Sequence, residues 1–356
     1  MIRRNLALMI ALVVILQGSF TFGFTDTYLI YEDSSNIIIK GSNEDISKGI
    51  ASVTKLMTYL LAMEAIDEGK ISMDDVFKVT RDVDNVPYSY WLATGDEITV
   101  RKMIESLLVI SANDSAYALG VMVAGSEEAF AEMMNKKCDE LGLTDSVFYN
   151  ASGLTLKDGS YNKMSMTDLQ KLVHVILEKY GDEIIPITST IAIKNPNSGY
   201  ERNNTNHRLL KKDSHIKGLK TGYTDVAGSC LVSIYVEGDA KYVNLTVGNP
   251  SRDYRDRLTY KNLMYAKDTF VEKDLYLKDE KVLDFELLTG KKIDLVPLEN
   301  VHGIFNVDSS VYDIEFKLKE GLSLPVTTED EFGTVELFYM GHPHGSFKVG
   351  PSENIE

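Results

Sequence analysis

Three short groups of residues carry side chains that can do chemistry together. Ser52-Val53-Thr54-Lys55 sets a hydroxyl and an amine three residues apart. On a helix such positions share a face, with Cβ atoms roughly 5–6 Å apart, so the Lys55 amine can reach the Ser52 hydroxyl. A hydroxyl is a poor nucleophile until a neighbour takes its proton. Burial and the positive end of the helix dipole both disfavour an ammonium in a first turn, and both keep the amine able to accept that proton. Ser111-Ala112-Asn113 offers two short polar side chains from a loop between helices. Lys220-Thr221-Gly222 occurs once, on a strand. There a cation and a hydroxyl can hold a carboxylate, and the glycine lets a ligand come close to the backbone. Taken singly, these patterns say little. Ser-x-x-Lys recurs at Ser160/Lys163 and Ser214/Lys217, and Ser-x-Asn at Ser34, Ser160 and Ser352.

The elements that must position these groups follow from periodicity and capping. Leu56, Leu60, Met63 and Ile66 repeat at helical spacing and predict a helix from 52 to about 68, with its apolar stripe in a core. Before it, 28–31 and 37–40 read as a β-hairpin around the turn 32–36. Thr99 caps a helix through 109, a helical stretch follows from 114 to about 123, and Ser126 caps another that ends at Gly142. Ser165 and Asp168 open a helix predicted from 166 to about 180, after which 187–194 reads as a strand. Three strands, 216–221, 228–236 and 242–247, precede a last helix from 252 to about 270, capped by Ser251. Strands at both ends with helices between predict an α+β domain, an antiparallel sheet covered by helices, whose first hairpin joins the last strands.

From 271 the pattern turns all-β. Tyr312, Ile314, Phe316 and Leu318 alternate with charged residues, as do Val335, Leu337 and Tyr339 with their neighbours, which predicts a small β-sandwich domain over 271–350 and a disordered tail, 351–356. At the other end, Arg3 and Arg4 precede an unbroken apolar run from Leu6 to Leu16 and a small-x-small site at Thr21-Phe22-Gly23. Residues 1–23 therefore read as a signal peptide, and the mature protein as exported, in the cell wall or at the outer face of the cytoplasmic membrane. An uncleaved leader would instead serve as a membrane anchor.

The 356 residues are 44% hydrophobic and carry a net charge of -16. That acidity argues against nucleic-acid binding, which calls for a basic face. Cys138 on a helix and Cys230 in an apolar strand read as two separate buried thiols. His342-Pro343-His344 reads as a surface turn rather than a metal pair, and Tyr88, Tyr90 and Trp91 read as core or cleft rim.

Order changes the weight of the three groups. A helix N-terminal Ser-x-x-Lys, an interhelical Ser-x-Asn and a strand Lys-Thr-Gly, in that succession, are the set found in penicillin-binding proteins and serine β-lactamases. The chain resembles the low-molecular-mass penicillin-binding proteins of the D-alanyl-D-alanine carboxypeptidase type. The likeness extends to Ile50-Ala-Ser-Val-Thr-Lys-Leu-Met-Thr58, Val109-Ile-Ser-Ala-Asn-Asp114, Asn150-Ala-Ser-Gly-Leu154 and Gly218-Leu-Lys-Thr-Gly-Tyr-Thr-Asp225, and covers the chain from 24 onward, with a catalytic domain at 24–270.

The resemblance implies a serine-type carboxypeptidase that removes the terminal D-alanine from peptidoglycan stem peptides and is inhibited covalently by β-lactams. Ser52 would attack, with Lys55 as general base. Ser111 would relay a proton to the leaving nitrogen, and Asn113 would hold the substrate amide. Lys220 and Thr221 would bind the terminal carboxylate beside Gly222, and the Lys220 charge would help depress the Lys55 pKa. The backbone N–H groups of Ser52 and Tyr223 would form an oxyanion hole, worth about 3–4 kcal/mol per donor in the transition state.

The segment Tyr161-Asn-Lys-Met-Ser-Met-Thr-Asp168 departs from a His-containing stretch common in relatives and is expected to be structural, and the C-terminal amphipathic helix that anchors many relatives is missing. The alternatives are a β-lactamase, an endopeptidase of the same class, or a scaffold that keeps the fold without turnover. No glutamate lies between Glu140 and Glu178 to serve a lactamase's deacylation.

Overall fold

The computed structural model describes residues 26–89 and 91–356, so residues 1–25, with the expected leader at 1–23, and Tyr90 lie outside the described residues. The chain opens with a hairpin of β1 (Thr27–Glu32) and β2 (Ile37–Ser42). The buried Glu32 carboxylate closes its turn, accepting from the backbone N–H groups of Ser34 and Ser35 at 3.1 and 2.7 Å and from the Ser35 hydroxyl at 2.6 Å. A 3-10 turn, Ala51–Thr54, leads into α1 (Lys55–Asp67). Helices α2 (Val100–Val109), α3 (Asn113–Ala124), α4 (Glu127–Leu141) and α5 (Met166–Ser189) follow. Strands β3 (Ile216–Thr224), β4 (Gly228–Glu237) and β5 (Ala240–Asn249) then lead to α6 (Arg252–Thr269).

The predicted topology is the observed one. β1 pairs antiparallel with β5, from Thr27 opposite Val247 to Glu32 opposite Tyr242, and the sheet runs β2-β1-β5-β4-β3. Alternation sends Leu29 and Tyr31 into the large core with α1, and Tyr28 and Ile30 into a second core against α6. The caps act as the sequence requires: Thr99, Ser126, Ser165 and Ser251 each accept from a backbone N–H three residues on, and Gly142 ends α4 at φ 64°.

Four local expectations are corrected, three of them here and that for His344 with the β domain. α1 has no single apolar stripe, because every residue from Lys55 to Met63 is buried: the helix runs through the centre of the domain rather than along its surface. The expected strand at 187–194 shrinks to Ala192–Lys194, since α5 continues past a break at Tyr180 (φ -132°) and through Pro186 to Ser189. The Thr188 and Ser189 hydroxyls donate to the Ile184 and Ile185 carbonyls there, at 2.8 and 2.7 Å. The tail is not disordered: Ile355 is buried and exchanges both backbone hydrogen bonds with Val326, at 2.8 and 2.9 Å.

The C-terminal part is joined without a linker. α6 ends at Thr269 and β6 (Phe270–Tyr276) begins at the next residue. The remaining strands are β7 (Leu283–Glu286), β8 (Lys292–Pro297), β9 (Val301–Asn306), β10 (Asp313–Leu318), β11 (Gly333–Tyr339) and β12 (His342–Pro351). A five-stranded sheet runs β7-β8-β12-β11-β10, and the β6-β9 ribbon packs Leu275, Val301 and Phe305 against its Leu337. His344 is not on a surface turn. It lies in β12, 1% exposed, among the rings of Phe270, Phe305, Tyr312 and Tyr339. Cys138 and Cys230 are separate, free and buried, as read.

Candidate active site

The Ser-x-x-Lys pair forms where the 3-10 turn becomes α1. Lys55 is wholly buried and its Nζ meets three partners: Ser52 Oγ at 2.9 Å, Asn113 Oδ1 at 2.8 Å and the Ser152 carbonyl at 2.7 Å. The amide and carbonyl oxygens only accept. A neutral amine therefore spends its two N–H bonds on them and turns its lone pair to the Ser52 hydroxyl, the geometry a general base needs. Burial, opposed by the Asp114 charge, lowers the Lys55 pKa from 10.5 to about 7. A large share of this lysine is thus unprotonated near neutrality.

The turn is built to hold Ser52 in place. Ala51, just before it, sits at φ 46°, an unusual conformation for a residue with a β-carbon. The loop at 150–154 packs over this point. Asn150 Oδ1 accepts from the N–H groups of Ser152 and Gly153 at 3.2 and 2.7 Å, and Gly153 (φ 85°) lies so close that a β-carbon there would stand 2.0 Å from the Ala51 carbonyl oxygen. Asn162 ties the two together, donating to Thr54 Oγ1 at 3.0 Å and to the Asn150 carbonyl at 2.8 Å. The Tyr161–Asp168 stretch is scaffolding, as its sequence suggests.

The other two groups converge on the same cleft, about 560 Å³ in volume, whose lining includes Ser52, Ser111, Asn113, Thr221, Gly222 and Tyr223. Ser111 sits at φ 64° in the turn between α2 and α3. Asn113, buried at the start of α3, donates its Nδ2 to the Pro87 carbonyl at 3.1 Å, which leaves its oxygen for Lys55. On β3, the Lys220 side chain lies beneath the floor, its Nζ 2.7 Å from the Thr221 carbonyl, while Thr221 Oγ1 donates to Thr205 Oγ1 at 2.7 Å. Tyr223 is exposed at the rim.

The electrostatics correct one expectation. Lys220 does not account for the depressed Lys55 pKa, which comes from burial. The repulsion between the two lysines falls on Lys220 instead: burial first, then Lys55 and Arg255, push it well below its ordinary value. Asp114 offsets part of the burial effect at Lys55, whereas no carboxylate among the described residues does so at Lys220.

Several residues escaped the sequence reading. The Ser152 carbonyl is a Lys55 partner that only the chain path could reveal, although Asn150 and a glycine at 153 signalled a tight loop. Thr205 and Arg255 also line the cleft. Arg255 is buried, bonded to Asp256 Oδ1 through Nε at 3.0 Å and Nη2 at 2.6 Å, and its position in a helix gave no sign of the site. Tyr88 lines the cleft, while Trp91 is buried.

An antiparallel sheet backed by a central helix, with a serine and a buried lysine on that helix facing a strand Lys-Thr-Gly, defines the penicillin-binding class of serine peptidases. Within it, residues 24–251 match the D-alanyl-D-alanine carboxypeptidase family, and the chain belongs to that family of serine-type carboxypeptidases. It is 32% identical to the D-alanyl-D-alanine carboxypeptidase DacF of Bacillus subtilis (strain 168) over 337 residues, which are 92% of this chain and 85% of that protein. Its fold superposes on the D-alanyl-D-alanine carboxypeptidase DacD from Francisella tularensis with a TM-score of 0.74 at 20% identity, over 94% of each chain. It also matches penicillin-binding protein D2 from Listeria monocytogenes, solved in a cefotaxime-bound form, with a TM-score of 0.60 at 27% identity over 67% of this chain and 95% of that one.

Proposed function

We propose that Ser52 attacks the carbonyl between the two terminal D-alanines of a peptidoglycan stem peptide. Lys55 takes the hydroxyl proton, the Ser52 Oγ–carbonyl bond forms, and the peptide C–N bond breaks. Ser111 passes a proton to the departing D-alanine nitrogen. Water then hydrolyses the acyl-enzyme and restores Ser52. Asn113 holds the substrate amide. Thr221 receives the terminal carboxylate in the cleft, with the Lys220 charge beneath the floor attracting it, and the carboxylate's arrival favours the ammonium that burial disfavours. Gly222 lets the substrate backbone approach, and the N–H groups of Ser52 and Tyr223 stabilise the oxyanion.

The observation that carries this reading is the 2.9 Å contact between Ser52 Oγ and a buried amine whose pKa lies at about 7. β-Lactams, whose ring carbonyl is attacked in the same way, acylate Ser52. The apolar run after Arg3 and Arg4, read as a leader over 1–23, supports a reaction outside the cytoplasmic membrane, on cell-wall material.

Intact-mass spectrometry with and without a β-lactam, together with D-alanine release from diacetyl-Lys-D-Ala-D-Ala, tests the proposal. A covalent adduct lost in Ser52→Ala and released D-alanine support it. An adduct without release points to a scaffold or to a narrower endopeptidase, rapid turnover of the β-lactam to a lactamase, and an adduct that survives Ser52→Ala overturns the assignment of the nucleophile.

A further inference from the structure

The mechanism leaves one wholly buried carboxylate beside the site without a part. Asp114 follows Asn113 in the first turn of α3 and is 0% exposed. Burying a carboxylate is costly unless donors meet it. Three do: the Trp91 and Leu92 N–H groups reach Oδ2 at 2.9 Å each, and the Ser115 N–H reaches Oδ1 at 2.8 Å. The first two donors come from another part of the chain, so the carboxylate pins the Trp91 and Leu92 backbone to the start of α3. The Pro87 and Tyr88 carbonyls accept from Asn113 Nδ2 at 3.1 and 3.5 Å, and Asn195 holds the Trp91 carbonyl from the other side. With its nitrogen so engaged, Asn113 turns its oxygen to Lys55.

We propose that Asp114 is a positioning residue for the Ser52–Lys55 pair: anchored to the Trp91, Leu92 and Ser115 N–H groups, it fixes the first turn of α3 and with it the adjacent Asn113 amide in the orientation that accepts an N–H from Lys55 and aims the amine lone pair at Ser52. The proposal rests on reading Lys55 as the base. It has a charge component as well, because Asp114 opposes the effect of burial on Lys55, while burial raises the Asp114 pKa and its three N–H donors and Lys55 lower it. From β3, Lys220 also faces Lys55, and Arg255 of α6 acts on Lys220. The other charges packed around α3, Asp82 of the short helix Arg81–Asp84 and Glu127 and Glu128 of α4, face Tyr117.

The test is the pH profile of β-lactam acylation and of D-alanine release for Asp114→Asn, with Ser52→Ala as the reference for the nucleophile. Loss of the negative charge makes Lys55 easier to deprotonate, so the acidic limb moves to lower pH by about half a unit or more. The loosened amide lowers plateau kcat about tenfold, with a smaller change in KM. A uniform loss with the limb unmoved overturns the proposal. If Asp114→Asn does not fold, the wild-type protein serves: the 13Cγ resonance of Asp114 should step at the pH of the acylation midpoint, and its constancy across that pH overturns the coupling. An adduct that survives Ser52→Ala defeats the mechanism itself. Loss of the adduct there, together with an unshifted Asp114→Asn profile, defeats this inference alone.

Discussion

Gly222 lies so near Ser52 that a β-carbon added to it would stand 3.1 Å from the Ser52 backbone nitrogen and 2.8 Å from the Ile50 carbonyl oxygen. The strand that carries Lys220 and Thr221 can run against the nucleophile's turn only because this residue has no side chain. Gly222→Ala forces β3 away from the turn and displaces the Ser52 amide from the oxyanion position. The second-order rate of β-lactam acylation should fall about 10²-fold, measured by stopped-flow or intact mass, while circular dichroism retains the helical signal.

The acylation rate should follow the titration of Lys55. Its amine accepts a proton only when neutral, so the rate rises with pH through a midpoint near 7 and levels off above it. A profile flat from pH 5 to 9 is incompatible with Lys55 as the base. Lys55→Met should lower acylation by about 10²–10⁴-fold.

Thr205 offers a separate handle on the carboxylate end. It accepts the Thr221 hydroxyl at 2.7 Å, and its own N–H donates to the Val109 carbonyl at 3.0 Å, which links β3 to the end of α2 beside Ser111. Thr205→Val leaves the Thr221 hydroxyl free to rotate. KM for an acyl-D-Ala-D-Ala peptide should rise about 3- to 10-fold, the worth of one hydrogen bond, with kcat little changed, and Thr205→Ser should restore it.

The second region to probe is the junction at His344. Its Nε2 lies 3.3 Å from the Ile304 carbonyl and 3.2 Å from the Tyr312 hydroxyl, and burial lowers its pKa from 6.5 to about 4. Between those pH values the unfolded chain binds a proton that the folded chain refuses. The stability owed to the neutral ring is therefore complete above about 6.5 and is lost as pH falls toward 4. The melting temperature should drop across this window, and less steeply in His344→Phe.

Much of this was legible in the sequence because the signals were local. Ser126, Ser165 and Ser251 are caps that any reader of helix starts would place, and the mainly apolar runs of β1, β4 and β5, bounded by turn residues, give the strands of the sheet. The Ser52–Lys55 contact follows from helical spacing. Other features depend on the path of the chain through space. That Lys55 touches the Ser152 carbonyl, 97 residues on, or that Asp114 holds the backbone of Trp91, is set by packing that no local pattern encodes. The 187–194 segment does not form the full strand that its pattern predicts, because burial of Ile184 and Thr188 outweighs the helix-breaking preference of Gly181 and Pro186 and keeps α5 going. The tail was misread because five of its six residues are polar or proline, whereas its single isoleucine finds a pocket and a strand edge.

The direct passage from α6 into β6 has a mechanical meaning. Phe270, the first residue of β6, is packed in the core beneath the catalytic sheet and against Tyr339 of the far sheet at 5.2 Å between ring centroids. Two bodies joined by a shared keystone cannot swivel like beads on a string. A load taken up by the β domain thus passes to the catalytic sheet through packed aromatic rings rather than through a flexible linker.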